Sequence, residues 1–159
     1  RWELLKNDLG DIELFGENLY AVHSIEYKRL ETHFYVFAVR CLDKWLSWDE
    51  VKFYAALFDL PTVPELCTEC VDGLTVASLV VCLAQEPSVF GSCDVQTGLD
   101  CTREGVVTRN IGEYATADFA HNVFKYVRKG HVQTGEHWTR HWKRARLVWE
   151  LKQEKGGNR

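Results

Sequence analysis

The sequence predicts an α+β domain with mostly antiparallel sheets and flanking helices. Short runs rich in aromatic and β-branched residues recur along the chain, which is the pattern of strands. Helical periodicity appears only between some of these runs, so several strands can pair with antiparallel neighbours. A length of 159 residues and a 46% share of hydrophobic residues fit one globular domain with a sizeable core.

The first half of the chain predicts two strands and a helix. The segment "DIELFGENLYA" is typical of a strand and its exit, and "THFYVFAVRC" is typical of a strongly apolar strand. A helix is expected in "SWDEVKFYAALFDL", because Ser47 and Glu50 have the spacing of a capping box. Two prolines shortly after this pattern are expected to end the helix.

The middle of the chain contains shorter elements. In chain order we predict a short strand in "TVPEL", a buried helix in "LTVASLVVCLAQ", a loop in "EPSVFGSCDVQTGLD", a strand in "EGVVTRN", a helical turn in "TADFAHN" and a strand in "VFKYVRK".

The end of the chain changes pattern at Glu136. Four residues recur on one face of a predicted helix, namely Trp138, Trp142, Ala145 and Trp149. We therefore divide the chain into a domain at 1–135 and a basic amphipathic helix with a frayed tail at 136–159. The basic face of this helix is either solvated or binds an RNA backbone, and the pattern leaves both open.

Charge argues weakly against nucleic-acid binding by the chain as a whole. The net charge is −4 and the pI is about 5.9. Residues 125–146 are nevertheless basic, with seven lysines or arginines against one acid, and such a stretch can contact phosphates. No apolar run is long enough to span a bilayer and no signal-peptide pattern is present, so we expect a cytoplasmic protein without a membrane partner.

Six cysteines allow a metal or a thiol interpretation. Cys67 and Cys70 have the Cys-x-x-Cys spacing of half a zinc site. The other half would need Cys93 and Cys101, whose separation is unusual for a zinc knuckle. Free thiols are the preferred interpretation, and a zinc-stabilised interaction domain is the alternative.

Two acids that each neighbour a glycine lie near predicted strands. Gly16 precedes Glu17, and Gly105 follows Glu104; a tight turn at such a glycine would expose the acid. Carboxylates hold divalent metals, cations neutralise transferring phosphates, and an aromatic ring stacks on a base. The candidate set for such chemistry is Glu17, Phe37, Glu104, Lys125, Arg128 and Lys129.

The order of four segments resembles the ATP-dependent RNA ligases, which are covalent nucleotidyltransferases. The segments are "GENLYAVHSI", "FYVFAVR", "EGVVTRN" and "KYVRKGHVQTGEHW", and they are similar to motifs III, IIIa, IV and V of that family. The resemblance covers roughly residues 12–142 and implies a nucleotidyltransferase fold, ATP and Mg²⁺ as cofactors, and RNA ends as partners. It also implies that 1–135 is an N-terminally incomplete adenylation domain, which we expect to be a monomer.

The resemblance implies a role for most of the candidate residues. Glu17 corresponds to the motif III acid that contacts the ribose of the adenylate, and Phe37 corresponds to the aromatic residue that stacks on adenine. Glu104 corresponds to the motif IV acid, which is associated with metal binding and catalysis. Lys125 corresponds to the first motif V lysine, which contacts the α-phosphate.

The chain departs from the family pattern at two of these positions. Val127 stands where a second motif V lysine is frequent, so Arg128 or Lys129 would have to replace it. Ala38 stands where related enzymes frequently carry Asp.

The family's nucleophile, a motif I lysine, has no good counterpart in the sequence. The only local candidate is Lys6 in "KNDLG", which has one residue too many before the glycine. The chain also begins with Arg1 and contains no methionine, so we expect the nucleophile upstream of residue 1 in a longer protein.

The predicted function is to join RNA 3′-hydroxyl and 5′-phosphate ends through lysyl-AMP and RNA-adenylate intermediates. This chain by itself is expected to be inactive in self-adenylylation. The alternatives are a related DNA ligase or capping nucleotidyltransferase, and a non-catalytic nucleotide- or RNA-binding remnant of the same fold.

Overall fold

The computed structural model describes residues 10–68, 72–128 and 143–156. They form an α+β fold, as the sequence predicts, in which the pairs β2–β10, β3–β6, β4–β5 and β5–β8 are antiparallel. The strands are β1 (Ile12–Asn18), β2 (Ala21–Val22), β3 (Ile25–Tyr27), β4 (Phe34–Cys41), β5 (Lys44–Trp45), β6 (Ser92–Asp94), β7 (Gly105–Arg109), β8 (Tyr114–Ala115), β9 (Val123–Val127) and β10 (Lys143–Arg144). The helices are α1 (Trp48–Leu57), α2 (Gly73–Ala84), α3 (Phe119–Asn122) and α4 (Val148–Gly156), with a 3-10 turn at Thr116–Asp118.

The chain forms two compact units, which we describe separately. The first unit contains the described parts of Arg1–Glu17, Phe34–Val63 and Thr108–Phe124. The second unit contains the described parts of Asn18–His33, Pro64–Val107 and Lys125–Arg159. The predicted domain boundary at residue 135 lies outside the described residues and stays a prediction.

A four-stranded sheet in the order β1-β4-β5-β8 organises the first unit. One of its hydrophobic clusters contains α1 residues packed against the central strand β4. The buried members of that cluster are Val36, Val39, Leu46, Trp48, Val51 and Ala55. A separate cluster is formed by Ala38, Trp45 and Tyr114, with Phe15 and Val123 packed against it. Strand β4 therefore contributes to both clusters, which explains its nearly continuous apolar sequence.

Helix α1 begins with the predicted capping box. The Ser47 backbone N–H donates to Glu50 Oε2 at 2.9 Å, and the Glu50 backbone N–H donates to Ser47 Oγ at 3.4 Å. The helix ends before the two prolines. The Asp59 N–H bonds to Ala56 O at 3.0 Å and the Leu60 N–H bonds to Ala55 O at 2.9 Å, and Asp59 has a φ of 56°. This is a Schellman ending with an aspartate at the left-handed position.

Helix α2 forms where it is predicted, but the prediction that it is buried is wrong. Of its side chains from Thr75 to Ala84, the structure buries only that of Ala84. An apolar sequence favours burial but does not provide the element that covers it. Among the described residues, no helix combines the length and apolar character needed to cross a membrane.

Two further predictions in the middle of the chain are wrong in part. "TVPEL" forms no strand, because Thr62 makes only an isolated bridge to Val36 and prolines on either side lack backbone donors. The segment 86–100 contains β6, although we predict it as a loop. Strand β6 pairs antiparallel with β3, with Glu26 opposite Cys93. The predicted strands β7 and β9 and the helical turn between them are confirmed.

The predicted C-terminal helix is shorter than its sequence pattern. Within 143–156, Lys143–Arg144 form β10, which pairs with β2, and the helix begins only at Val148. Ala145 is buried in the connection and Trp149 is half-exposed, so these two residues do not share a buried helical face. The cause is the strand pairing, which a helical period cannot reveal. Trp138 and Trp142 lie outside the described residues.

Candidate functional site

Glu17 is an exposed carboxylate near the end of β1. Among the described residues it makes no hydrogen bond or ion pair, so the carboxylate is available to a ligand. Gly16 does not form the predicted tight turn, because it lies inside the extended strand. A Cβ at Gly16 would overlap the ring of Phe34, with Cε1 and Cε2 at 2.6 and 2.8 Å. The chain turns instead after Asn18, whose Oδ1 accepts a hydrogen bond from the Tyr20 N–H at 3.0 Å.

Phe37 is the exposed position of an otherwise buried stretch of β4. Its relative exposure is 40%, whereas Tyr35 and Val39, two residues away on either side, are at 3% and 0%. Phe37 is therefore not a core residue, although an aromatic side chain in an apolar alternating strand would ordinarily be one. An aromatic ring exposed between buried neighbours offers a face on which a planar base could stack.

Arg109 fixes the backbone at Phe37, and the sequence pattern assigned it no role. Its guanidinium donates to the carbonyl oxygens of Phe37 at 2.9 Å and Leu46 at 3.1 Å, and to that of Asn110 at 3.1 Å. The same group lies over the Trp48 ring, 5.5 Å from its centroid. Burial lowers the pKa of Arg109, against an opposing effect of Tyr114. The sequence feature that could have drawn attention to Arg109 is its position in "EGVVTRN", the segment that resembles motif IV.

Glu104 and Arg128 are directly opposite each other at one end of the β7–β9 pair. The Arg128 N–H donates to Glu104 O at 3.0 Å, and the Asn110 N–H donates to Asn122 O at 2.8 Å. These two bonds are separated by six residues on each strand, so the antiparallel register is regular between them. Opposite residues share a face of the sheet, which brings the side chains of Glu104 and Arg128 to one side.

Lys125 lies on the other face of the same strand pair. The register places it opposite Val107, and side chains alternate along a strand. Lys125 is exposed and has no hydrogen-bond or ion-pair partner among the described residues. Val127 is also exposed, so the face that carries Lys125 is not a buried apolar face. The pairing therefore joins Glu104 with Arg128 and separates it from Lys125.

Gly105 allows the two strands to approach at Glu104. A Cβ on Gly105 would overlap Tyr126 O and would lie 3.1 Å from Val127 Cα. Only glycine fits a position where backbone approaches backbone this closely. Close backbone packing therefore requires a glycine at Gly105, whereas at Gly16 the overlap is with the end of the Phe34 ring. Both glycines lie in strands and not in turns.

Two arginines beside Glu104 have buried nitrogen atoms. Arg103 is buried and donates from Nη2 to Pro87 O at 2.9 Å, while its Nη1 has no hydrogen-bond partner in the described structure. The Nε of half-buried Arg128 is also buried without such a partner. Burial raises the pKa of the Cys101 thiol, and the charge of Arg128 acts in the opposite direction. Lys129, the other predicted cation, lies outside the described residues.

The described residues contain no complete metal site. No group of three His, Cys, Asp or Glu side chains in them could hold a metal ion. Mg²⁺ commonly binds one or two carboxylates and takes its other ligands from phosphates and water. The exposed carboxylate of Glu104 fits such a partial site. For zinc, Cys67 is exposed and Cys93 is buried, and Cys70 lies outside the described residues.

Comparison with known proteins identifies the family. A protein-family model described as RNA ligase matches residues 1–127, which is most of the chain. No curated protein and no solved structure gives a significant match. The matched range contains Glu17, Phe37, Glu104 and Lys125, and it ends just before Arg128. The chain belongs to the RNA ligase family, and its class of activity is that of a ligase.

Proposed function

We propose that this chain contributes the adenylate- and phosphate-binding residues of an ATP-dependent RNA ligase that joins 3′-hydroxyl and 5′-phosphate ends. The observation that carries the proposal is the family match over residues 1–127. Within that range, the exposed carboxylates of Glu17 and Glu104 and the exposed ring of Phe37 supply the kinds of group that bind a nucleotide and a metal ion in such a reaction.

The reaction proceeds through two covalent adenylates. A lysine nitrogen attacks the α-phosphorus of ATP, which forms a P–N bond and releases pyrophosphate. The adenylyl group then passes to the 5′-phosphate of RNA, and the lysine is regenerated. Finally a 3′-hydroxyl attacks the activated 5′-phosphate, forms the phosphodiester bond and displaces AMP.

We assign the nucleoside to Glu17 and Phe37, which lie in the first unit's strands β1 and β4. Glu17 would accept hydrogen bonds from ribose hydroxyls, and the exposed Phe37 ring would stack on adenine. Stacking of this kind contributes about 1–3 kcal/mol per base. Arg109 keeps the Phe37 backbone in place through the carbonyl contact.

We assign the phosphate chemistry to Glu104 and Arg128, which share one face of the β7–β9 pair. Lys125 lies on the other face and keeps only the α-phosphate role that the family resemblance implies. Cations near a transferring phosphate stabilise the charge that develops on its oxygens. Glu104 would hold Mg²⁺ together with substrate phosphates, and the ion would supply further neutralisation of that charge. Arg128 lies opposite Glu104 and would stand in for the missing second lysine at Val127, while Lys129 lies outside the described residues.

Sealing of pre-adenylylated RNA tests the proposal without the nucleophilic lysine. The purified chain would be given a nicked RNA duplex whose 5′ end already carries AMP, with Mg²⁺ and without ATP. We expect a sealed product and released AMP. Glu104→Gln should slow sealing at least about 100-fold, the scale of losing one electrostatic contact to a transition state.

Glu113→Gln is the matched control for this experiment. Glu113 is an exposed acid whose Oε1 lies 2.9 Å from Lys44 Nζ, and it has no role in the proposed site. The Glu113→Gln variant should seal the nick at the wild-type rate. No sealing by the wild-type chain, or equal rates for the Glu104 and Glu113 variants, would contradict the proposal. Sealing of the same nick in DNA but not in RNA would favour a DNA ligase instead.

Radiolabelled ATP tests the expectation about the nucleophile. We expect no covalent AMP on the purified chain, because Lys6 does not fit the family's motif I spacing. Peptide mapping that found AMP on Lys6 would show that this chain carries its own nucleophile.

A further inference from the structure

A cluster of cations in the second unit surrounds a single carboxylate. Glu26 in β3 accepts Lys28 Nζ at 2.9 Å and Lys143 Nζ at 3.5 Å on the same oxygen, Oε2. Its other oxygen, Oε1, lies 3.8 Å from Arg146 Nη2. We call these four residues the Glu26 cluster. None of them belongs to the proposed adenylate and phosphate site.

The carboxylate in the Glu26 cluster is sheltered, while the cations are open to solvent. The Glu26 side chain is 13% exposed, whereas those of Lys28, Lys143 and Arg146 are between 42% and 59% exposed. Burial acts to raise the pKa of Glu26, but the hydrogen bonds and charges of Lys28 and Lys143 outweigh it, so the pKa lies below its ordinary value. Glu26 therefore stays ionised, and its sheltered carboxylate binds cations whose side chains remain partly exposed to solvent.

The neighbouring arginine differs from the members of the Glu26 cluster. Arg144 donates to both carboxylate oxygens of Glu150, at 3.0 and 2.5 Å. A bidentate pair of this kind is neutral and uses the arginine's fork. The Glu26 cluster instead brings three cations to one carboxylate, so positive charge exceeds negative charge at that point of a protein whose net charge is −4.

The three cations repel one another, and the single carboxylate of Glu26 neutralises only part of their charge. A second anion, supplied by a ligand, would make this arrangement more favourable. Each lysine ammonium has three donors, so one bond to Glu26 leaves donors that can point to solvent or to a ligand. Because Lys28 and Lys143 bind the same oxygen, their ammonium groups are close enough to contact one phosphate together. Contacts of this kind fix the position of a nucleic acid without reading its sequence.

We propose that the Glu26 cluster binds the phosphodiester backbone of the RNA substrate, through Lys28 and Lys143 with Arg146 beside them. The inference rests on the proposed function for its choice of RNA. It adds a contact outside the predicted motifs, on a surface that includes β10, where the sequence predicts a helix.

Salt-dependent RNA binding tests the Glu26 cluster. The full chain and the double variant Lys28→Gln/Lys143→Gln would be titrated with a fluorescent single-stranded RNA at several salt concentrations. The slope of log K against log salt is negative, and each lost phosphate contact makes it less negative by about 0.7 for single strands. We therefore expect the slope of the double variant to be less negative by about 1.4, with weaker binding at low salt.

The double variant Lys44→Gln/Lys52→Gln is the matched control. Lys44 is 59% exposed, as Lys143 is, and Lys52 at 47% is close to Lys28 at 42%. The control lysines also form ion pairs, Lys44 with Glu113 and Lys52 with Asp49, and the change in net charge is identical. This variant should keep the wild-type slope.

The outcomes separate the cluster from the proposed function. Equal slopes for the two double variants and the wild type would overturn the inference while leaving RNA ligation intact. If neither the wild type nor the variants bound RNA, both the proposed function and the role of the Glu26 cluster would lose their basis. Polyglutamate would be titrated in the same way as a second probe. If the Lys28→Gln/Lys143→Gln variant lost binding to polyglutamate but bound RNA as the wild type does, RNA would be overturned as the ligand in favour of an acidic protein.

Discussion

Phe37 is an exposed aromatic residue within a strand whose neighbouring positions are buried. The ring is exposed between two buried neighbours, so it contributes less to the core than Tyr35 does. Phe37→Ala should therefore lower the free energy of unfolding by about 2 kcal/mol or less, below the 3–5 kcal/mol typical of a buried aromatic. Phe37→Ala should also weaken binding of an adenylylated RNA about 10- to 100-fold, because stacking on adenine is lost.

Phe53 provides the control for that prediction. It is an exposed phenylalanine of α1 in the same unit. Urea denaturation would measure stability and a binding titration would measure affinity for both alanine variants. Phe53→Ala should leave affinity unchanged. Equal losses of affinity in the two variants would remove Phe37 from the adenine-binding role.

Arg109 is a cation whose hydrogen-bond acceptors are neutral backbone carbonyl groups. Its guanidinium binds three carbonyl oxygens and stacks on Trp48, and this geometry depends on a planar fork. Arg109→Lys retains the charge but cannot reach all three acceptors. We expect the free energy of unfolding, measured in urea, to fall by about 1–3 kcal/mol, because charge-assisted hydrogen bonds to carbonyl groups and the packing on Trp48 are lost together.

Arg29→Lys is the corresponding control in the second unit. Arg29 is exposed and donates from Nε to one carbonyl, that of Val89, at 3.0 Å. The free energy of unfolding of this variant should change by less than about 0.5 kcal/mol, as for most surface substitutions. If both variants lost the same stability, the three contacts of Arg109 would not be the cause.

The β7–β9 pair illustrates how an element depends on one missing side chain. A Cβ at Gly105 meets the backbone of Tyr126 and Val127, which cannot move aside as a flexible side chain would. Gly105→Ala should lower the free energy of unfolding by about 3 kcal/mol, the upper part of the range for overpacking. Sealing activity should fall as well, because the substituted residue is adjacent to Glu104.

Gly112→Ala tests whether this cost is specific to the close approach. A Cβ at Gly112 would lie 3.5 Å from Asn110 Oδ1, an ordinary contact distance. Its stability should change by less than about 1 kcal/mol, and a gain is possible because alanine reduces the entropy of the unfolded chain. Denaturation curves with the same midpoint for both variants would contradict the geometry at Gly105.

Across the whole molecule, paired carboxylates make stability depend on acid pH. Several acids have a pKa below the ordinary value because of hydrogen bonds or charges in the folded state, namely Glu13, Glu26, Glu50, Asp94 and Glu150. The largest such change is at Glu150, where hydrogen bonds from Arg144 and from the Leu147 N–H lower the pKa from 4.5 to about 2. A lowered pKa in the folded state favours folding above the unfolded pKa.

The stability that Glu150 contributes should therefore be complete above pH 4.5 and should be lost as the pH falls from there towards about 2. Urea denaturation at a series of pH values would measure it. Glu150→Gln should reduce the pH dependence of the free energy of unfolding within that window and leave the dependence at neutral pH unchanged. An identical acid profile for the variant and the wild type would contradict this assignment.

The sequence by itself determined the local elements and the family. The capping box of α1 and the strands β1, β4, β7 and β9 were predictable because their signals lie within a few neighbouring residues. The family followed from the order of motifs and agrees with the match over 1–127.

Only the tertiary structure decided which side chains lie together and which remain exposed. The exposure of Phe37 and α2, the pairing that makes β10 a strand and the opposite faces of Glu104 and Lys125 all depend on contacts between distant segments. The same is true of the Arg109 contacts and the Glu26 cluster. The physical reason is that burial and pairing are properties of two surfaces, and a pattern in one segment describes only one of them.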